Sequence, residues 1–116
     1  MITENARACS RHADYPELAT LVKRIESVYH PVDVLLFGSR VKGTASDLSD
    51  WDILVLLPDG ASETLLDPLL GWETQSGSGV YADVHACFLK EYLADLNVAT
   101  SLAMEIKDHA VSIVPR

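Results

Sequence analysis

Residues 36–57 read LFGSRVKGTASDLSDWDILVLL, and the order of their features decides how the chain folds. An apolar run ends at Gly38-Ser39 and ten residues follow. Asp50 and Asp52 then flank Trp51, just where a second apolar run, Ile53–Leu57, begins. Side chains alternate across a strand, so Asp50 and Asp52 point to one face with Cα atoms about 6–7 Å apart, and Trp51 points to the other. Two like charges beside an apolar core repel each other and lose hydration unless a cation sits between them. Hard divalent cations such as Mg²⁺ combine carboxylate oxygens with substrate phosphates, so the pair reads as a metal–nucleotide site.

Length and charge narrow the setting. The 116 residues suit one domain spanning 1–116, with residues 1–14 as a short helix or a frayed arm. Hydrophobic residues make up 48% and charged residues 22%, as in a globular protein. No apolar run reaches the roughly 20 residues of a membrane span. MITENARACSRHADY lacks a basic segment followed by an apolar core, so no secretory signal is expected. Cys9 and Cys87 have no CxxC spacing and read as reduced thiols of a cytoplasmic protein, Cys87 as a small core residue. Seventeen acidic residues against nine Lys and Arg give a net charge of −8, with no basic stripe. Non-specific nucleic-acid binding is therefore disfavoured, whereas a small nucleotide held by metal and backbone amides is allowed.

Helical and strand patterns alternate along the chain. From Glu17, apolar residues at Leu18, Leu21, Val22, Ile25, Val28 and Tyr29 predict a helix, opened by Pro16 and closed at His30-Pro31. Val32–Phe37 predicts a strand, Arg40–Gly43 a helical turn, and Asp50–Leu57 a second strand stopped by Pro58-Asp59-Gly60. Ser62–Trp72 predicts a helix capped by Ser62 and interrupted at Pro68. Gln75–Gly79 (QSGSG) predicts a mobile loop near a site, and Val80–Phe88 a third strand. Lys90–Leu96 and Ala99–Lys107 predict helices, and Val111–Val114 a last strand. These elements amount to an α/β (α+β) fold with a small mixed β-sheet and packed helices; strand order stays open.

Several residues carry candidate chemistry. Glycine at a strand-to-turn junction lets the backbone approach a ligand, so Gly38-Ser39 is a candidate phosphate contact. Asp83 is out of place by propensity inside Val80–Phe88 and reads as a site carboxylate or as a strand-edge residue facing water. If its strand neighbours that of Asp50 and Asp52, three carboxylates share one face and can hold two cations. His85 has the parity of Asp83 and reads as a base, a substrate contact or a hydrogen-bonded strand histidine. Tyr81 and Trp72 read by default as packed core aromatics and alternatively as lining a base or acceptor pocket, and Trp51 reads as a packing residue.

GSRVKGTASDLSDWD, Gly38 to Asp52, resembles the Gly-Ser, ten-residue, Asp-x-Asp signature of the DNA polymerase β-like nucleotidyltransferase superfamily, and its minimal members most closely. The resemblance covers about Val32–Phe88, and Ile106–Val114 is similar to the closing helix–strand turn of those proteins. It implies that Gly38 and Ser39 hold the β- and γ-phosphates of ATP or another NTP. It further implies that Asp50, Asp52 and Asp83 are catalytic and bind two Mg²⁺ ions, with Asp83 helping to activate an acceptor hydroxyl. Arg40 and Lys42 fall at the basic positions usual after the Gly-Ser pair, as nucleotide contacts or solvent-facing side chains. Trp51 departs from the small aliphatic residue common between the two aspartates. Ser49 is read only as capping a turn.

Minimal nucleotidyltransferases resemble antitoxins that silence a HEPN-type ribonuclease toxin by adding AMP to a tyrosine. The resemblance thus implies transfer of a nucleoside monophosphate, AMP from ATP, to a hydroxyl on such a partner. A binding module acting by occlusion, and transfer to a small molecule, are the competing functions. Base preference and homo-oligomer formation, through Leu65–Trp72 or Leu93–Met104, stay open.

Overall fold

A computed structural model of the chain describes residues 11–43, 50–95, 106 and 109–115. Pro16 opens a 3₁₀ turn, Pro16–Leu18, that runs into helix α1, Ala19–Tyr29. Proline suits a first turn because its missing N–H has no intrahelical acceptor there. Leu21, Val22, Ile25 and Tyr29 recur at helical spacing and are buried as one stripe. Val28, expected on that stripe, is 39% exposed, since it falls at the margin of a stripe centred between Ile25 and Tyr29. His30 ends the helix in the left-handed region at φ 48°, its N–H donating to the Glu26 carbonyl.

Strands β1 (Asp33–Phe37), β2 (Trp51–Leu57), β3 (Ala82–Phe88) and β4 (Val111–Ser112) form one sheet in the order β3-β2-β1-β4. β1 runs antiparallel to β2 and β4, and β2 runs parallel to β3, so the sheet is mixed as expected. β1 and β2 are central and covered on both faces, which explains their near-continuous apolar sequences. Alternation sends Val34, Leu36, Trp51, Ile53, Val55 and Leu57 into a core shared with α1. Leu35, Phe37, Leu54 and Leu56 enter a second core with Tyr92, Ile106 and Ala110. Each fully buried Leu, Ile or Val contributes about 1.5–3 kcal/mol, so these two cores hold the sheet. Asp33 is buried where β1 meets β4: its Oδ1 accepts from the Ser112 hydroxyl at 2.6 Å and the Val34 amide at 2.9 Å, while Oδ2 has no partner.

The parallel β2–β3 pair requires a crossover, supplied by residues 58–81. The helix expected over Ser62–Trp72 is two elements, a 3₁₀ turn Glu63–Leu66 and a helix that overruns Trp72. Between them Asp67 is extended at φ −65° and ψ 122°. A residue preceding proline avoids the α region, and here Asp67 turns that break into a cap. Its Oδ1 accepts from the Leu69 amide at 3.0 Å as helix α3, Pro68–Gln75, begins. Ser62 caps the first piece as expected, accepting from the Thr64 amide.

The QSGSG stretch is tied down rather than loose. Arg24 of α1 donates to the carbonyls of Thr74 (3.3 Å), Ser76 (2.7 Å) and Gly77 (3.2 Å). Gln75 is buried, and its Oε1 accepts from the Ala82 amide at 3.2 Å, which delays the start of β3 from Val80 to Ala82. Trp72 and Tyr81 are 60% and 76% exposed, correcting their expected core packing.

Helix α4, Leu89–Asp95, follows β3 directly. Among the described residues Cys87 forms no disulfide, and it is partly buried against the second core. The helix expected over 99–107 lies outside the described residues except for Ile106, as do Cys9 and Ser49. Among the described residues no helix is long and apolar enough to cross a membrane.

Candidate functional site

The C-terminal end of β1 and the N-terminal ends of β2 and β3 meet at one edge of the sheet. Phe37, the last residue of β1, pairs in register with Asp52, and Asp52 pairs with Asp83. Adjacent strands lie about 4.8 Å apart, so the two carboxylate-bearing residues are nearest neighbours on the sheet. Their parity is that of Leu54 and Leu56, which face the second core. Asp52 is half-buried and Asp83 is exposed.

Gly38 follows Phe37 at φ 84° and ψ −158°. A Cβ at this position would collide with the Asp52 carboxylate, the Asp52 Cγ lying 3.2 Å from it. The Gly-Ser pair is therefore built into the acidic site: a bare main chain is what lets Asp52 stand against the turn. Ser39 then opens the short helix α2, Ser39–Lys42, ended by Gly43 at φ 78°. The side chain of Lys42 lies outside the described residues.

Asp50 is exposed and lies just ahead of β2, before the first ladder pair, Trp51 with Ala82. Sheet register does not fix it as it fixes Asp52 and Asp83. Among the described residues no three His, Cys, Asp or Glu side chains form a group that could hold a metal ion. The expected cluster of three is thus drawn together here as a pair, Asp52 and Asp83. Their donor chemistry nonetheless fits a hard divalent cation, since every carboxylate in question offers only oxygens. His85 is exposed two residues beyond Asp83.

Trp51 is 6% exposed and packs in the core shared with α1, on the face of β2 opposite Asp52. The Arg40 guanidinium lies over its ring at 4.4 Å from the centroid. Tyr15 meets it edge-on, with centroids 5.5 Å apart and planes at 74°. Arg40 is therefore engaged with an aromatic face. In the sequence, Tyr15, a tyrosine before Pro16, carries no periodic or spacing signal. Gln75 carries none either, because its QSGSG context reads as a loop.

A comparison with curated proteins found no match. A family model described as a nucleotidyltransferase domain matches residues 17–113, from the first turn before α1 to just past β4. The match takes in the Gly38 turn, both Asp52 and Asp83, and every strand of the sheet, and on that span the chain belongs to the nucleotidyltransferase domain family, whose members transfer nucleotidyl groups.

Proposed function

We propose that the chain transfers a nucleoside monophosphate, AMP from ATP, to a hydroxyl on a partner protein in the cytoplasm, with Mg²⁺ held by Asp50, Asp52 and Asp83. The observation that carries this reading is the Gly38–Asp52–Asp83 alignment, which sets a side-chain-free turn beside two register-paired carboxylates. The amides at Gly38 and Ser39 hold the β- and γ-phosphates; the resemblance adds Lys42 as a basic contact, while Arg40 lies over the Trp51 ring. Bound divalent ions would neutralise phosphate charge and acidify the acceptor hydroxyl. Asp83 takes the acceptor proton on its carboxylate. The acceptor oxygen then bonds to the α-phosphorus, the bond from that phosphorus to the bridging oxygen breaks, and pyrophosphate leaves.

Exposure of Asp50 and Asp83 leaves the carboxylate edge open to a macromolecular acceptor. Together with the likeness to minimal nucleotidyltransferases, this supports a tyrosine of a HEPN-type toxin as the acceptor. A second reading, a module that neutralises its partner by occlusion, is favoured by one observation: no three carboxylates converge among the described residues.

Incubation with Mg²⁺, α-labelled ATP and host lysate, beside an Asp52→Asn control, tests both readings. A labelled protein band seen only with wild type supports transfer to a partner. Label in a small molecule replaces the acceptor class. Absence of label, with equal partner neutralisation by wild type and Asp52→Asn, establishes occlusion.

A further inference from the structure

Helix α2 is too short to hold itself in place. Its four residues form a single turn, with Val41 N–H donating to the Gly38 carbonyl at 3.1 Å and Gly43 N–H to the Ser39 carbonyl. A single turn of helix is far below the length at which helix formation becomes favourable on its own. Something outside must fix this turn against β2, or the close fit of Gly38 to Asp52 would be lost.

One side chain stands where such an anchor is needed. Trp51 is flanked in sequence by Asp50 and Asp52, yet its ring is buried on the other face of the sheet. Two other segments converge on that ring at the start of β2: Tyr15 from ahead of α1 and Arg40 from α2. The guanidinium at 4.4 Å lies within the roughly 6 Å over which a cation is attracted to an indole face. Burial of the indole removes much of the water that would otherwise weaken this attraction.

We propose that Trp51 is a positioning residue, and that the Tyr15–Trp51–Arg40 stack clamps the Gly38–Lys42 turn to the start of β2 so that the turn and the carboxylates meet a nucleotide already aligned. The proposal rests on the nucleotidyl-transfer reading for what the turn binds. Its geometry concerns the face of the sheet away from the carboxylates. Arg40 acts on the nucleotide through Trp51, by holding the main chain of the turn.

The test compares wild type, Trp51→Phe, Trp51→Leu, Arg40→Gln and the Trp51→Leu/Arg40→Gln double variant, with KM for ATP and kcat measured beside the melting temperature. Trp51→Leu is expected to raise KM about tenfold, the scale of a desolvated cation–π contact, with a smaller change in kcat. Trp51→Phe, which keeps a ring face, restores most of the loss. The double variant is expected to be no worse than the more damaging single variant, because both remove one contact. Additive effects on KM would mean that Arg40 contacts nucleotide independently of Trp51 and would overturn the proposal. A fall in melting temperature with KM unchanged would reduce Trp51 to a packing residue and do the same.

A binding measurement separates this idea from the transfer reading. The chain has two tryptophans, so Trp72→Phe, at an exposed position, leaves Trp51 as the sole indole, read by excitation beyond the tyrosine absorption band. MgATP is expected to change its emission saturably, with the midpoint shifted about tenfold in Arg40→Gln. That result in a protein that transfers nothing would sustain the clamp and defeat the transfer reading. Flat emission in a protein that does transfer would defeat the clamp.

Discussion

The Asp52 carboxylate fills the space in which a Cβ on Gly38 would stand, so the turn after β1 and the start of β2 are fitted to each other atom against atom. Gly38 also sits at φ 84° and ψ −158°, a backbone region that side chains exclude. Gly38→Ala therefore meets two obstacles: backbone strain of about 1–3 kcal/mol and displacement of the carboxylate. Urea unfolding is expected to show a loss of about 2–4 kcal/mol. Nucleotidyl transfer should fall about a hundredfold or more, the usual result of moving a reacting group by about 1 Å.

Asp83→Asn separates activity from stability. Asp52 and Asp83 are register neighbours on one sheet face, and like charges so placed are destabilising. Removing one charge is expected to raise stability by about 0.5 kcal/mol. Transfer should drop by about two to four orders of magnitude, as expected when a general base is lost. Thermal unfolding and initial rates on the same preparation check both signs. A loss of stability would show that the Asp83 carboxylate is held by favourable contacts.

Strand periodicity made the parity of Asp52 and Asp83 legible, but their pairing required that β2 and β3 be neighbours, which the sequence left open and the sheet register supplies. Trp51 facing away from the aspartates was legible from the same periodicity. Failures arose where a contact distant in sequence overrides a local pattern. QSGSG has every local mark of a loop, yet Arg24, some fifty residues earlier, collects its carbonyls. Trp72 and Tyr81 have the composition of core residues, but α3 turns its small residue inward. Gly71 lies against the Val84 carbonyl, which a Cβ would approach to 2.5 Å, and this leaves Trp72 exposed. Asp50 shows the limit of parity arguments, which assume that the strand has begun; here it begins one residue later.

His30→Gly is expected to stabilise the protein. His30 is exposed and adopts φ 48° at the end of α1, where glycine carries no Cβ penalty. The left-handed conformation costs a non-glycine residue about 1–2 kcal/mol, partly offset by the greater freedom of glycine in the unfolded chain. A net gain of about 0.5–1 kcal/mol, read as a higher urea midpoint at unchanged slope, is the expected result. KM for ATP should not move, since His30 lies at the opposite end of β1 from Gly38.

Arg24→Ala should loosen one region selectively. The guanidinium satisfies carbonyls at and beyond the C-terminal end of α3, and its contacts with Ser76 and Gly77 are exposed to water. About 1 kcal/mol of global stability is expected to go, the discount reflecting that exposure. Hydrogen exchange should accelerate most at the amides of residues 76–82, including Ala82, whose partner Gln75 is the last residue of α3. Arg24→Lys should rescue little, because a point charge cannot reach several carbonyls with a planar fork.

Tyr29 carries a pH dependence whose sign follows from its surroundings. Burial pushes its phenol above the ordinary value of 10.0; a hydrogen bond with the Thr74 side chain pulls the other way, and the Asp67 carboxylate adds to the rise. The folded protein therefore holds this proton more tightly than the unfolded chain does. Below pH 10 both states are protonated and the contribution to stability is complete. Above it the unfolded chain ionises first, so stability falls as pH rises toward the folded value, by at most about 1.4 kcal/mol per pH unit. Tyr29→Phe should flatten that alkaline limb while leaving the profile near pH 7 with the same shape. Phenolate absorbance should show a late component that ionises together with unfolding, and its Tyr29 contribution should vanish in Tyr29→Phe. An unchanged alkaline limb in the variant would place the linked proton on another group.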